Sequence, residues 1–266
     1  MISKDNFAPL LEGLIPVAVE AGAAIMEIFY REDQGLSHKQ DKSPVTRADE
    51  KAEEIILAAL EELAPGVQVV AEERAYRDGI PGHTGEEFFL VDPLDGTKEF
   101  LNKRDAFTVN IALIQKSRPV LGLVYAPARD ALYYGDRDNG AYLIQKAGAP
   151  QPLKVRRADP SRLTIVASLS HRNRETDDYL ENYPGAEVAS IGSSLKFCLV
   201  AEGKADLYPR LGPTMEWDTG AGQAVLEAAG GSVLNPDGSR FRYHKPEFRN
   251  GFFIALGDQS LNFVKF

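Results

Sequence analysis

The sequence holds one cysteine in 266 residues, so no internal disulfide can form. That residue, Cys198, lies in the apolar run Phe197-Cys198-Leu199-Val200 and reads as a buried structural thiol. Long apolar runs are missing too: no stretch approaches the roughly 18 uninterrupted apolar residues of a membrane span. Met1-Ile2-Ser3-Lys4-Asp5 lacks the basic start and apolar run of a signal peptide, which makes a cytoplasmic location the default expectation. No basic amphipathic segment stands out, and a peripheral association with the inner membrane is left open. Bases are in deficit, 30 Lys and Arg against 39 Asp and Glu, for a net charge of −9, which argues against a general nucleic-acid binder. The four histidines, His38, His83, His171 and His244, show no zinc-ligand spacing.

What is present is enough for an ample core, with 44% apolar residues over a length between one large domain and two intimate ones. Phe7, Leu10, Leu11, Leu14, Ala18, Ala21, Ile25 and Phe29 recur near a 3.6 period and predict a long amphipathic helix containing Pro16. A second helix is expected from about Arg47 to Leu63, stopping at Pro65-Gly66. Short apolar runs then predict strands at Val67–Ala71, Phe88–Val91, Phe107–Ile114, Val120–Tyr125, Ala131–Tyr134 and Ala141–Ile144. Beyond Pro150 strands and helices alternate. The expectation is an α+β part over residues 1–150 and an α/β part over 151–266, closely packed, since no repeat or Gly/Ser linker separates them.

Acids cluster where strands end. Phe88–Val91 runs into Asp92-Pro93-Leu94-Asp95-Gly96-Thr97, with Pro93 holding Asp92 extended and Gly96 freeing the backbone to turn, so both carboxylates are expected in a loop. Alone, this reads as an Asp-Pro turn. Glu72-Glu73 follows another apolar run, and Asp218 opens a helical stretch after Glu216-Trp217; by themselves these read as a solvated loop and a helix N-cap. If Glu72, Asp92, Asp95 and Asp218 converge, neighbours about 4 Å apart repel by roughly 4 kcal/mol per pair at an effective dielectric of about 20, and the cluster demands cations. Oxygen-only donors favour Mg²⁺.

Asp92-Pro-Leu-Asp-Gly-Thr97 together with the distant Trp217-Asp218-Thr219-Gly220-Ala221 resembles the paired signatures of the inositol monophosphatase superfamily, and Glu72-Glu73 fits the same pattern. The resemblance spans nearly the whole chain. It implies a layered α-β-α-β-α sandwich and a phosphatase with two or three Mg²⁺ ions on Glu72, Asp92, the Leu94 carbonyl, Asp95 and Asp218. It further implies that Thr97 and Asp49 orient and deprotonate the attacking water, with Glu72 also catalytic. Asp49 has a second reading, since Thr46-Arg47-Ala48-Asp49 forms a helix capping box, and the two roles are compatible.

Three stretches resemble one branch of that family more closely, the 3′(2′),5′-bisphosphate nucleotidases of the bacterial CysQ type: Lys39-Gln-Asp-Lys-Ser-Pro-Val-Thr46, the continuation Lys98-Glu99-Phe100, and Glu216-Trp-Asp-Thr-Gly-Ala-Gly-Gln223. The last departs at Gly220, where the branch more often has Ala, which loosens the first turn of a helix slightly. The branch implies a small-molecule substrate, adenosine 3′(2′),5′-bisphosphate, cleaved to AMP and phosphate by direct attack of water. Its expected contacts here are Glu72, Asp95, Gly96, Thr97, Lys98, His171, Ser193, Lys196, Arg210 and Asp218. The turn Gly192-Ser193-Ser194-Leu195-Lys196 opens a helix whose N-terminus, with Lys196 and Arg210, suits the uncleaved 5′-phosphate. The alternatives are an inositol or sugar phosphate monoesterase and, in another class, a non-catalytic sensor of metal and nucleotide. Monomer and homodimer are left open.

Overall fold

The structure is a computed structural model that describes residues 1–38, 44–82 and 84–265. Lys39–Ser43, most of the first nucleotidase-like stretch, and His83 lie outside the described residues. Among the described residues the helices are α1 (Phe7–Phe29), α2 (Arg47–Leu63), α3 (Glu72–Asp78), α4 (Thr97–Leu101), α5 (Arg174–Leu180), α6 (Leu195–Ala201) and α7 (Gly220–Ala228). A short antiparallel pair, β1 (Ser37–His38) and β2 (Pro44–Val45), precedes α2.

Seven strands form the larger sheet in chain order: β3 (Gln68–Ala71), β4 (Glu87–Asp95), β5 (Thr108–Gln115), β6 (Arg118–Ala126), β7 (Ala131–Asp136), β8 (Gly140–Gln145) and β9 (Gln151–Leu153). All neighbours are antiparallel except β3 and β4. The smaller sheet combines β10 (Thr164–Ser168), β11 (Glu187–Ile191), β12 (Leu207–Arg210), β14 (Ser232–Leu234) and β16 (Phe253–Leu256) in the order β11-β10-β12-β16-β14. A two-strand ladder joins β13 (Thr214–Met215) to β15 (Arg249–Asn250).

The period-two pattern of the strands decides the layers. On β5, Val109, Ile111 and Leu113 face α1 and α2, together with Phe89 and Val91 of β4. The alternate residues, Ala112 and Ile114, join Phe88 and Leu90 in a second core shared with α6, α7 and the inner face of the smaller sheet. The outer face of that sheet, with Ile165, Leu207, Ile254 and Leu256, packs Tyr179 and Leu180 of α5. Helices, sheet, helices, sheet and helix therefore stack in five layers, the sandwich that the family resemblance implies.

Helix α1 meets the length and apolarity of a membrane-crossing helix, over Lys4–Phe29, although its sequence contains no uninterrupted apolar run of that length. Its Phe7, Leu10, Leu11, Leu14, Ala18, Ala21 and Ile25 are buried against the larger sheet, the packing role that their spacing predicts.

Helix α7 lies directly on β6. A Cβ on Gly122 would stand 2.5 Å from the Ala221 carbonyl oxygen, so glycine is what lets helix and strand approach. Gly220 has the same purpose: a Cβ there would meet Ala112 Cβ at 3.1 Å and Leu90 Cδ1 at 3.2 Å. The residue that the sequence marks as loosening a helical turn is thus a point of close packing.

Candidate active site

The first acids stand on β4, not in a loop after it. The strand runs through Asp92-Pro93-Leu94-Asp95, with Asp92 opposite Asn110, Asp95 opposite Thr108, and a bulge between the two pairs. Pro93 is accommodated because the ladder is already broken there. Asp92 Oδ1 accepts the Leu94 N–H at 3.0 Å. Gly96 then takes a φ of 94°, and a Cβ on it would stand 3.0 Å from the Ala106 carbonyl oxygen, so the turn into α4 requires glycine.

Glu72 arrives from another direction, as the first residue of α3. In place of a solvated loop, the doublet starts a helix whose N-terminus is held by the buried Glu53, with Glu53 Oε2 accepting the Glu73 N–H at 2.8 Å. Burial pushes the Glu53 carboxyl above its usual range. Asp218 comes from the segment before α7 and is not its N-cap, a position held by Thr219; Asp218 Oδ2 instead accepts the Met215 N–H at 2.8 Å. Carboxylate oxygens of Glu72, Asp92 and Asp218 lie within 4.8 Å of one another.

Asp95 is beside this trio. Its Oδ2 accepts the Ser194 N–H at 2.6 Å, the Ser194 hydroxyl at 3.0 Å and the Asn110 amide at 3.4 Å. Asp95 and Asp218 each keep an edge open to the cleft while the rest of the carboxylate is enclosed. Burial pushes both upward in pKa, and for Asp218 the charges of Asp95 and Glu72 add to it. Carboxylates held together at such a cost, with oxygen donors alone, fit a hard divalent cation on Glu72, Asp92 and Asp218, with Asp95 and the Leu94 carbonyl adjoining.

Asp49 and Thr97 meet across the chain. The Thr97 hydroxyl is 3.4 Å from Asp49 Oδ1 and 3.3 Å from the Leu94 carbonyl oxygen. Asp49 Oδ2 accepts the Thr46 N–H at 2.7 Å, and Thr46 Oγ1 accepts the Ala48 N–H, so the capping box that the sequence predicts is present.

The same cleft, of about 390 Å³, continues from the acids to Lys98, His171, Ser193, Lys196 and Arg210. Lys196 is buried; its ammonium donates to the Ser193 carbonyl at 2.6 Å and stands 5.3 Å from the centre of the Tyr208 ring. Burial lowers its pKa to about 8, against the opposing attraction of Asp95. Arg210 donates to the Gly212 and Pro213 carbonyls. Lys98 Nζ is 3.1 Å from His171 Nε2. His171 is exposed at the mouth of the cleft that it lines. Desolvation, helped by the charges of Lys98, Arg210 and Lys196, pushes it down to about 4, which makes Nε2 the acceptor in that bond.

The helix N-terminus expected as an anion site is modified by these contacts. Ser194 neither caps α6 nor leaves its N–H free, because both its groups serve Asp95 and its hydroxyl is also 2.8 Å from the Asp218 carbonyl. Ser193 lines the cleft in a left-handed conformation with φ 53°. Sequence reasoning missed Ser194 and Asn110 as props of Asp95, and Ser168, Glu99, Tyr208, Thr214 and Thr219 as lining residues. Glu99 had a signal, its place in Lys98-Glu99-Phe100; Asn110 had none, since nothing local distinguishes it from its strand neighbours.

Residues 6–252 match the inositol monophosphatase family. The chain is 44% identical over 250 residues to the 3′(2′),5′-bisphosphate nucleotidase CysQ of Salmonella typhimurium, covering 93% of this chain and 100% of that protein. The crystal structure of CysQ from Bacteroides thetaiotaomicron superposes with a TM-score of 0.79 at 36% identity, covering 96% of this chain and 98% of the other. The inositol monophosphatase of Anabaena gives 0.75 at 27% identity over 95% and 92%. With a family match across nearly its whole length, the chain belongs to the inositol monophosphatase family.

Proposed function

We propose that the protein hydrolyses adenosine 3′(2′),5′-bisphosphate to AMP and phosphate with the help of Mg²⁺. The observation that carries this reading is the division of one cleft into an acidic end (Glu72, Asp92, Asp95, Asp218) and a cationic end (Lys98, Lys196, Arg210). A simple monoester needs the acidic end alone. A second phosphate gives Lys196 and Arg210 an anionic hydrogen-bond acceptor, where the hydrogen bonds they make among the described residues go to backbone carbonyls. The 44% identity to a nucleotidase supports the same substrate. In this reading residues 1–150 form the part that holds most of the metal, and residues 151–266 the part that holds the nucleotide.

Bound among the carboxylates, two or three Mg²⁺ ions supply charge neutralisation and a more acidic water. Asp49 Oδ1 is the base, with the Thr97 hydroxyl between it and the cleft. Lys98, Lys196 and Arg210 hold the uncleaved phosphate so that the scissile one is in line with the attacking water, and the work of the protein is mostly position and charge.

The test is a side-by-side assay of adenosine 3′,5′-bisphosphate and inositol 1-phosphate with Mg²⁺, with and without Li⁺. A kcat/KM for the nucleotide well above that for inositol 1-phosphate, inhibited by Li⁺, is expected. Equal or greater efficiency on inositol 1-phosphate overturns the substrate, and absence of turnover on both overturns the enzyme.

A further inference from the structure

Glu99 is the one acid lining the cleft, among the described residues, that stands apart from the carboxylate group. It is 2% exposed, in α4 between Lys98 and Phe100. Its Oε1 accepts a hydrogen bond from the Ser170 hydroxyl, across 71 residues of chain. Ser170 belongs to the turn that leaves β10. Within that turn the His171 N–H donates to Ser168 Oγ at 3.1 Å, and the His171 ring meets Lys98 Nζ. Helix α4 therefore grips the turn twice, through Lys98 on His171 and through Glu99 on Ser170.

A third contact fixes the carboxylate from the other side. A Cβ on Gly192 would stand 2.7 Å from Glu99 Cγ and 2.8 Å from its Cδ, so the side chain packs on bare backbone where the turn into α6 begins. That turn carries Ser193 and Lys196. The Glu99 charge also favours the charged form of Lys196, against the burial that opposes it.

We infer that Glu99 is a positioning residue for substrate specificity, clamping the Ser168–His171 turn and the Gly192–Lys196 turn onto α4 so that the cationic end of the cleft is set for a second phosphate. The inference rests on the nucleotidase reading. A residue with this role acts through Ser170, Lys98 and Lys196, and it discriminates bisphosphate from monoester without taking part in bond cleavage.

The experiment measures kcat and KM for adenosine 3′,5′-bisphosphate and for inositol 1-phosphate in wild type, Glu99→Ala, Glu99→Gln and Ser170→Ala, with circular dichroism and thermal melting of each. For Glu99→Ala, KM for the nucleotide is expected to rise about tenfold or more with kcat changed less than about threefold. The selectivity ratio of nucleotide over monoester falls by a similar factor. Glu99→Gln keeps an oxygen acceptor for Ser170 and restores most of the ratio; Ser170→Ala lowers it, and adding Glu99→Ala gives less than the product of the two effects. An unchanged ratio in Glu99→Ala, or an equal loss of kcat on both substrates, overturns the inference while the function stands. A folding defect in Glu99→Ala leaves Ser170→Ala to decide, and an unchanged ratio there overturns it too. Wild type with no preference for the nucleotide overturns the function, and the inference with it.

Discussion

Asp49 and Thr97 are joined through one oxygen of a carboxylate whose other oxygen is engaged elsewhere. Oδ1 faces the Thr97 hydroxyl at 3.4 Å, and Oδ2 accepts the N–H and hydroxyl of Thr46 at 2.7 Å each. The N-cap of α2 thus aims the proposed base and fixes its rotamer, so helix stability and catalysis share a residue.

The two functions should separate on substitution. Asn in Asp49→Asn can still accept the Thr46 N–H but is no base. kcat is expected to fall on the order of 10²–10⁴-fold, with KM nearly unchanged and a loss of about 1 kcal/mol or less in thermal unfolding. Thr46→Ala should show the reverse weighting, a loss of about 1 kcal/mol in stability with a smaller loss of kcat.

Asp218→Asn should alter metal-linked stability with a distinctive sign. In EDTA the variant is expected to melt at or above the wild-type temperature, because a buried carboxylate repelled by Asp95 and Glu72 is removed. Added Mg²⁺ stabilises wild type by about 2.7 kcal/mol at a hundredfold excess over Kd and the variant much less. Activity falls on the order of a hundredfold or more. A variant that gains as much from Mg²⁺ as wild type would remove Asp218 from the metal site.

Lys196 titrates near 8 in the folded protein against an ordinary 10.5. In the free enzyme kcat/KM for the nucleotide should therefore fall as pH rises through about 8, and Lys196→Met should abolish that limb. The stability effect runs the other way. Between about 8 and 10.5 the unfolded chain holds the proton more tightly, so the burial penalty is complete below 8 and is relieved as pH rises through that window. Melting curves from pH 7 to 10 on wild type and Lys196→Met isolate this contribution.

Gly122→Ala should reveal how tightly α7 is seated. The added methyl meets the Ala221 carbonyl at 2.5 Å, and no rotamer can relieve a backbone contact. A loss of about 1–3 kcal/mol is expected, together with reduced turnover, since Asp218 lies two residues before α7. Unchanged melting and kinetics would show that the helix shifts freely.

Much of the fold was legible because period and length are local properties. The spacing of Phe7 to Phe29 predicted α1 and the Thr46–Asp49 box predicted the start of α2; the alternation from Phe107 to Leu113 predicted a strand buried on one face, whereas β5 is buried on both because a second core covers Ala112 and Ile114. The sequence reading placed no helix at α3 or α4. They form because Glu53 caps one from another helix and because a bulge with Gly96 starts the other.

The acids divide in the same way. Asp92 and Asp95 are separated by only three peptide bonds, so the sequence determined that pair, together with its family signature. Their company was decided by the tertiary structure: Glu72 enters from α3 and Asp218 from the approach to α7. Ser194 turns from a helix cap into a prop for Asp95, and Glu99 joins two turns across the cleft. Sequence records which side chains can bind, but convergence depends on where distant backbones cross and which rotamers packing permits, and that is fixed only when the layers close.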